Sequence, residues 1–485
     1  SSGTGGGSGT GGSSGTGGGS SGAGGGVAGS TVTGHLVVTY RLDDGGTLAQ
    51  PVNLTTVPVG AWVDDAGTYL TGSGTANGTF SIPNVPAGEF MFRVATSHLV
   101  TTARTIDLDY STTGRPDGVP ASIDPTTLTF DFTNLQTWQD GDELELVSTN
   151  AAVSITNVEY YGMSPPTPGA VATTGLSLNY YLFSQQLQTP MIEATRGDRA
   201  LFLQRSGAYD GGTGHVVVAR SAAPAPFTMA DGQTTALSGM FSTPAQQAVT
   251  YDVRQADFAA LSSQLNPSAQ QVMFAAFYAG PVSPIAADTD LFGDLGYQYA
   301  LLPAVMPGAF TYGNPYPSSW GVAVLVIYQH PVARSIAGGT MYPYQTSSYL
   351  RSFLPLTAFT AGPVQPQLGP VSQPQVNGLD LLQDQTGIGT RPVISWSAPT
   401  LGVPSRYRVD VSRLAVSGGQ TYVAARSRFE TPHTSLTLPT GTVVQNQAYV
   451  VTITAFQSPG VTNARMFGTP LPLHDSAIVS GVLRP

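Results

Sequence analysis

The sequence predicts an all-β protein of tandem β-sandwich domains behind a flexible Gly/Ser-rich N-terminal segment, and three observations lead there. Only 10% of the 485 residues are charged, while 58 Gly and 37 Pro supply turn-formers at a density that suits short strands joined by tight turns. Apolar residues recur with period two in segment after segment, which puts alternate side chains on one face of an extended chain. The length exceeds what one ordinary core fills and points to about three domains.

Residues 1–30 are Gly, Ser and Thr, broken only by Ala23, Val27 and Ala28. Such a composition buries too little apolar surface to offset backbone entropy, and predicts a coil with an end-to-end distance of about 30 Å. The run resembles the spacer behind the lipidated cysteine of bacterial lipoproteins, although this chain contains no Cys.

Residues 31–109 alternate strand and turn. Leu36–Tyr40 reads as a strand, Asp43-Asp44-Gly45-Gly46 as a turn, and Asn77-Gly78 as a hairpin turn in which both residues accept positive φ. Phe80 and Ile82 point one way and Thr79 and Ser81 the other; Phe90, Phe92 and Val94 repeat the pattern. Val32-Thr33-Gly34, Gly60-Ala61-Trp62-Val63 and the run from Gly78 through Val85-Pro86-Ala87-Gly88 resemble the carboxypeptidase-regulatory-like family, a small prealbumin-like sandwich. The resemblance implies a fold. Relatives serve as spacers, adhesive stalks and carbohydrate-binding-like modules, so it assigns no activity.

Residues 110–365 match no recognised signature and are expected to form one large or two small sandwiches. Leu128, Phe130 and Phe132 alternate with polar neighbours, as Leu144 and Leu146 alternate with Glu143 and Glu145. His215–Ala219 and Val272–Tyr278 read as strands covered on both faces, and Gly321–Tyr328 as a buried strand too short to span a bilayer. One short helix is expected near 256–265, with Asp257 as N-cap and Asn266-Pro267 as its stop.

The final domain is placed at 366–485, after the proline-rich joint Pro363–Pro374. Trp396, Tyr407, Leu438 and Tyr449 lie in segments with strict alternation, Tyr449 opening the pattern Tyr449-x-Val451-x-Ile453-x-Ala455. From about residue 372 onward this resembles a fibronectin type III domain. The resemblance implies that those four side chains are core and corner residues, with Tyr449 bonded to an upstream backbone group.

The composition also excludes chemistry. Every one of the 19 basic residues is Arg, so no lysine Schiff base, P-loop lysine or Lys–Asn crosslink can form. A net charge of −10 argues against nucleic acid and against electrostatic docking on anionic lipid. The absence of Cys removes disulfides, thiolate nucleophiles and Cys-ligated zinc. The six histidines show no metal-type spacing, and Gly-x-Ser-x-Gly occurs only within residues 1–30, without the strand and helix a nucleophile elbow requires. Arg196-Gly197-Asp198 matches the integrin tripeptide, a match short enough to arise by chance.

Two candidate sites stand out. Tyr297, Tyr299, Tyr312, Tyr316, Trp320, Tyr342 and Tyr344 concentrate aromatic side chains in a Gly/Pro-rich stretch, suited to stacking on sugars or a protein partner, with core packing as the competing explanation. Asp288, Asp290 and Asp294, with Gly293 between, are a candidate calcium loop that lacks an oxygen at Phe292 and a distal Glu. No other cofactor is implied. The expected function is non-enzymatic: an exported, surface-tethered protein for adhesion, envelope structure, or glycan or protein binding. Membrane attachment is expected only through an N-terminal lipid anchor. The rivals are a secreted glycan-active hydrolase with its catalytic part in 110–365, and a self-assembling filament or surface-layer subunit.

Overall fold

A computed structural model shows an almost wholly β protein. It describes residues 29–64, 67–158, 166–210, 212–266, 270–281, 293–301, 303–306, 308–462, 466 and 470–485. Nearly all of the Gly/Ser segment, together with Asp288 and Asp290, lies outside the described residues.

In the first module, strand Ser30–His35 pairs antiparallel with Thr79–Val85 and parallel with Thr105–Asp107. The facing sheet runs Tyr69–Thr71, Val59–Trp62, Phe90–Val94, Ser97–Thr101. Alternation puts Val32, Phe80, Ile82, Phe92, Leu99 and Ile106 between the sheets, with Phe80 stacked on Phe92 at 5.1 Å. The Asn77-Gly78 turn forms, but only Gly78 takes a positive φ, +79°. The Gly78 N–H bonds back to Thr75 O, and Asn77 instead uses Oδ1 to accept the Thr79 hydroxyl. This is a three-residue loop with Gly in the left-handed position rather than a two-residue hairpin.

The middle begins as a sandwich. Strands Leu176–Asn179, Thr127–Thr133 and Thr234–Met240 face Val153–Thr156, Glu143–Ser148 and Leu201–Asp210 across Phe130, Phe132, Phe202 and Phe241. Its second sheet continues through Thr213–Ala222, Gly293–Leu301, Val272–Gly280, Gly321–Arg334 and Tyr344–Pro355. The ladder of Ala245–Thr250 with Ala309–Asn314 carries Val249, Phe310 and Tyr312 into the core over this sheet. Several expectations need correction here. Along Thr213–Ala222, Val216 and Val218 are buried but His215 is exposed, so the strand is not covered on both faces. Helix Gln255–Ala260 forms, yet its N-cap is Arg254 and Asp257 sits in the first turn. Helices Tyr180–Leu187 and Leu356–Thr360 form where the sequence predicts none.

The last module packs Leu379–Asp380, Ser372–Val376, Val393–Ser397 and Ser435–Thr437 over Leu473–Val479, Ala448–Gln457, Arg406–Ser417 and Gln420–Thr431. Trp396 meets Tyr407 edge-on at 5.3 Å, and Leu438 and Tyr449 are buried beside them. The Tyr449 hydroxyl accepts the Val444 N–H at 2.9 Å.

The modules are not beads on a string; each touches the other two. Ser97–Thr101 pairs parallel with Gln420–Thr431, setting His98 opposite Phe429 and joining first to last. Tyr344–Pro355 pairs antiparallel with Leu473–Val479, where Arg351 forks onto Asp475 through two bonds of 2.6 Å, joining middle to last. Between first and middle, Trp320 Nε1 donates to Asp43 O at 3.0 Å and the Asp43 N–H to Asn150 Oδ1 at 2.8 Å.

Candidate functional site

The structure scatters the aromatic candidates. Tyr312, Tyr316 and Trp320 are buried: Tyr312 packs against Phe277 at 5.6 Å, and Tyr316 stacks on Trp320 at 4.8 Å. They fill core rather than offer faces to a ligand, because low-charge sheets leave bulky rings as the cheapest filler. Burial pushes the Tyr312 hydroxyl up to about 12 and Tyr316 well above the ordinary range. Tyr297 and Tyr299 are half-buried in strand Gly293–Leu301, Tyr297 against Phe274 at 5.2 Å. Tyr344 is half-buried against a separate cluster around Val332 and Leu414. Tyr342 alone among the seven is well exposed.

Of the calcium candidates, Asp288 and Asp290 lie outside the described residues. Asp294 is committed elsewhere: Oδ2 accepts Arg205 Nη1 at 2.5 Å and Oδ1 the Gly296 N–H at 3.0 Å. Arg205 is itself buried and also holds Glu143 at 2.5 Å, with Glu145 at 3.7 Å. Glu145, which alternates with Leu144 and Leu146, is fully buried beside this arginine of the neighbouring strand. Burial raises its carboxyl to about 7, against the opposing pull of Arg205. Among the described residues no group of three His, Asp or Glu side chains is arranged for a metal.

The Arg196-Gly197-Asp198 tripeptide is likewise locked into the fold. Asp198 is buried and accepts Arg115 Nε at 3.0 Å and the Glu193 N–H at 2.7 Å, while Arg196 binds Glu193 and Asp117. Among the described residues a Ser–His contact joins Ser352 Oγ to His474 Nδ1 at 3.0 Å. These two residues are direct cross-strand neighbours at the middle–last seam, and Ser352 is only 1% exposed, so the hydroxyl has no open approach for a substrate.

A site that sequence reasoning missed lies where the first and last modules meet. A cleft of about 520 Å³ opens there, walled on one side by Trp62, Asp64, Glu89 and Met91 and on the other by Arg391 and His433. Strand pairing Trp62↔Met91 sets one wall, and the parallel seam at Ser97–Thr101 holds it against the other. Trp62 is half-buried, in ring contact with Tyr69 at 4.7 Å and His98 at 5.3 Å, and the Arg93 guanidinium lies 5.7 Å over its ring. His433 Nε2 lies 2.7 Å from Glu89 Oε2, bridging the walls at the rim. A Cβ built on Gly67 (φ +90°) would lie 3.3 Å from Arg391 Cζ, so this guanidinium sits against the turn of the opposite module. The arrangement mixes donors and acceptors around one indole and can bind a polar molecule; Ser435 and His433 both line it, and His433 is bonded to Glu89. Only Trp62, a lone Trp in a turn-rich strand, could have hinted at it, because the two walls are more than 300 residues apart.

No family model matches the chain, and no curated protein matches it. Among solved structures, a Streptococcal ancillary pilin aligns over 65% of this chain and 95% of its own, with 10% identity and a TM-score of 0.10. So low a score carries no argument about fold or function.

Proposed function

We propose that this chain is an exported, surface-tethered, non-enzymatic β-sandwich protein that acts as a compact binding body for a glycan or protein partner. The observation that carries this reading is the pairwise closure of the three modules. A stalk or spacer gains reach by stringing modules end to end, whereas here two sheet seams and the Asp43–Trp320 contact fold them back on one another. That closure is what creates a walled cleft at a module junction, a common location for ligand sites. The Gly/Ser-rich N-terminal segment serves as the tether, with lipid anchorage as the proposed attachment. The facing sheets of the last module, with Trp396 and the Tyr449–Val444 bond, support a fibronectin type III-like assignment. The two-layer first module similarly supports a prealbumin-like one.

Protease shaving of intact cells tests the placement; amine-directed biotinylation is unsuitable because the chain has no Lys. The full chain should be released or cut by external protease, and purified protein should leave polysaccharide, ester and peptide substrates intact. Protection in intact cells, or turnover abolished by Ser352→Ala, would overturn the reading.

A further inference from the structure

We propose that the cleft between the first and last modules is a binding site for a short neutral saccharide; this rests on the reading of the protein as a binding body and specifies its ligand. The size fits first: about 520 Å³ lies within the range of small-molecule sites, roughly 300–1,000 Å³, and matches a few sugar rings better than a folded partner.

The chemistry of the walls fits next. A sugar presents hydroxyls that both donate and accept, together with patches of C–H that pack on a flat apolar face. The cleft holds acceptor oxygens of Asp64, which also takes the Thr68 N–H, and of Glu89, which is also bonded to His433; the Arg391 guanidinium adds a fork of several donors, and Trp62 with Met91 an apolar surface. That surface is fixed before any ligand arrives, since Tyr69 and His98 pack against the indole, which lowers the entropy lost on binding.

Charge decides between neutral and acidic ligands. Asp64 and Glu89 balance Arg391 and the Arg93 guanidinium that lies 5.7 Å over the indole, Glu89 is bonded to His433, and the whole chain carries −10. A sulfated or sialylated glycan would meet no net positive field. A peptide is disfavoured on different grounds. Strand addition needs an edge of useful length, and the sheet edge bordering the cleft, Ser435–Thr437, is three residues long.

The chain's own tryptophans supply the readout. Trp138, Trp320 and Trp396 are buried, so Trp62 dominates any ligand-induced change in emission. Full-length protein is titrated with neutral tetrasaccharides of glucose, galactose and N-acetylglucosamine, with sialyllactose, a heparin tetrasaccharide and a library of extended peptides. The expected result is a saturable emission change with at least one neutral tetrasaccharide at micromolar to millimolar concentration. Trp62→Phe should abolish the signal, and Arg391→Ala should weaken binding about tenfold by calorimetry, with Tyr342→Ala unchanged. Should Trp62→Phe fold poorly, protection of wild-type Trp62 from acrylamide quenching by bound sugar is the substitute measurement. No response to any neutral saccharide, a response only to the acidic glycans or peptides, or binding that survives both cleft substitutions would overturn the assignment. None of these results bears on protease shaving or substrate turnover, so the site can fail while the broader reading stands.

Discussion

Acidification should open the seam between the first and last modules, and His98 sets the size of the effect. Its ring is 4% exposed, stacked on Phe429 at 4.2 Å, with Nδ1 3.1 Å from Arg428 O. Burial lowers its pKa from 6.5 to about 4, opposed by the Arg428 carbonyl bond and reinforced by the Arg93 cation. An opened seam exposes an imidazole that protonates near 6.5, while the closed seam resists until about 4. Opening therefore takes up a proton in that window, so the closed state weakens as pH falls from 6.5 and is unaffected above it. The full displacement corresponds to about 3 kcal/mol, of which about 2 kcal/mol is lost by pH 5, a roughly thirtyfold increase in opening. Hydrogen exchange at the Arg428 amide, which donates to Thr96 O at 2.9 Å across the seam, reads this locally. Protection corrected for intrinsic exchange should drop between pH 7 and pH 5 in the wild type and stay level in His98→Gln, which keeps a donor but cannot titrate. Equal loss of protection in both proteins would refute the reasoning.

Glu145→Gln should act in the opposite direction and elsewhere: burial raises this carboxyl, so the middle sandwich loses stability as pH rises from 4.5 to about 7, and the amide should remove that slope in denaturant melts of the two proteins. Trp396→Ala should destabilise the last module by roughly 3–5 kcal/mol through the cavity left beside Tyr407, and a loss under about 1 kcal/mol in a denaturant melt would contradict its core position. Glu430→Ala should cost about 3–5 kcal/mol, because it strips the buried Arg406 guanidinium of a carboxylate 2.6 Å away, and the loss should be insensitive to added salt.

What could be read from the sequence was local. Period-two alternation places Phe80, Ile82, Phe130, Phe132 and Trp396 inside, and burial agrees at each. Alternation puts Glu145 on the face opposite Leu144 and Leu146 but does not show that this face is covered too; its partner Arg205 is remote in sequence and arrives only when strands Glu143–Ser148 and Leu201–Asp210 pair. Helix Tyr180–Leu187 was invisible because its Tyr and Phe content favours strands; tertiary contacts override the propensity, with Tyr180 and Phe183 buried in the sandwich core and Ser184 Oγ accepting the Ala121 N–H. The aromatic stretch around Tyr312 and Trp320 was conspicuous in composition, yet composition cannot separate a ring that fills a core from one that faces a ligand. Beyond the lone Trp62, nothing in the sequence marks the cleft, since neither wall is a site until the seam joins them.

That seam also bears on self-assembly. Ser97–Thr101 and Gln420–Thr431 are the outer strands of their own modules' sheets, as are Leu473–Val479 and Tyr344–Pro355, and the two seams pair all four with one another. Unpaired outer strands are what drive edge-to-edge polymers, so closure within one chain takes these four edges away from a filament, while shorter ones such as Ser435–Thr437 stay outermost. Opening the first–last seam restores two of them, and the His98 argument says when. Light scattering of concentrated protein should stay flat at pH 7 and rise by about pH 6, still above the isoelectric point near 4.9, in the wild type, with His98→Gln remaining dispersed at both. Association at neutral pH, independent of residue 98, would mean that other edges join subunits and that a filament or surface layer is the better account.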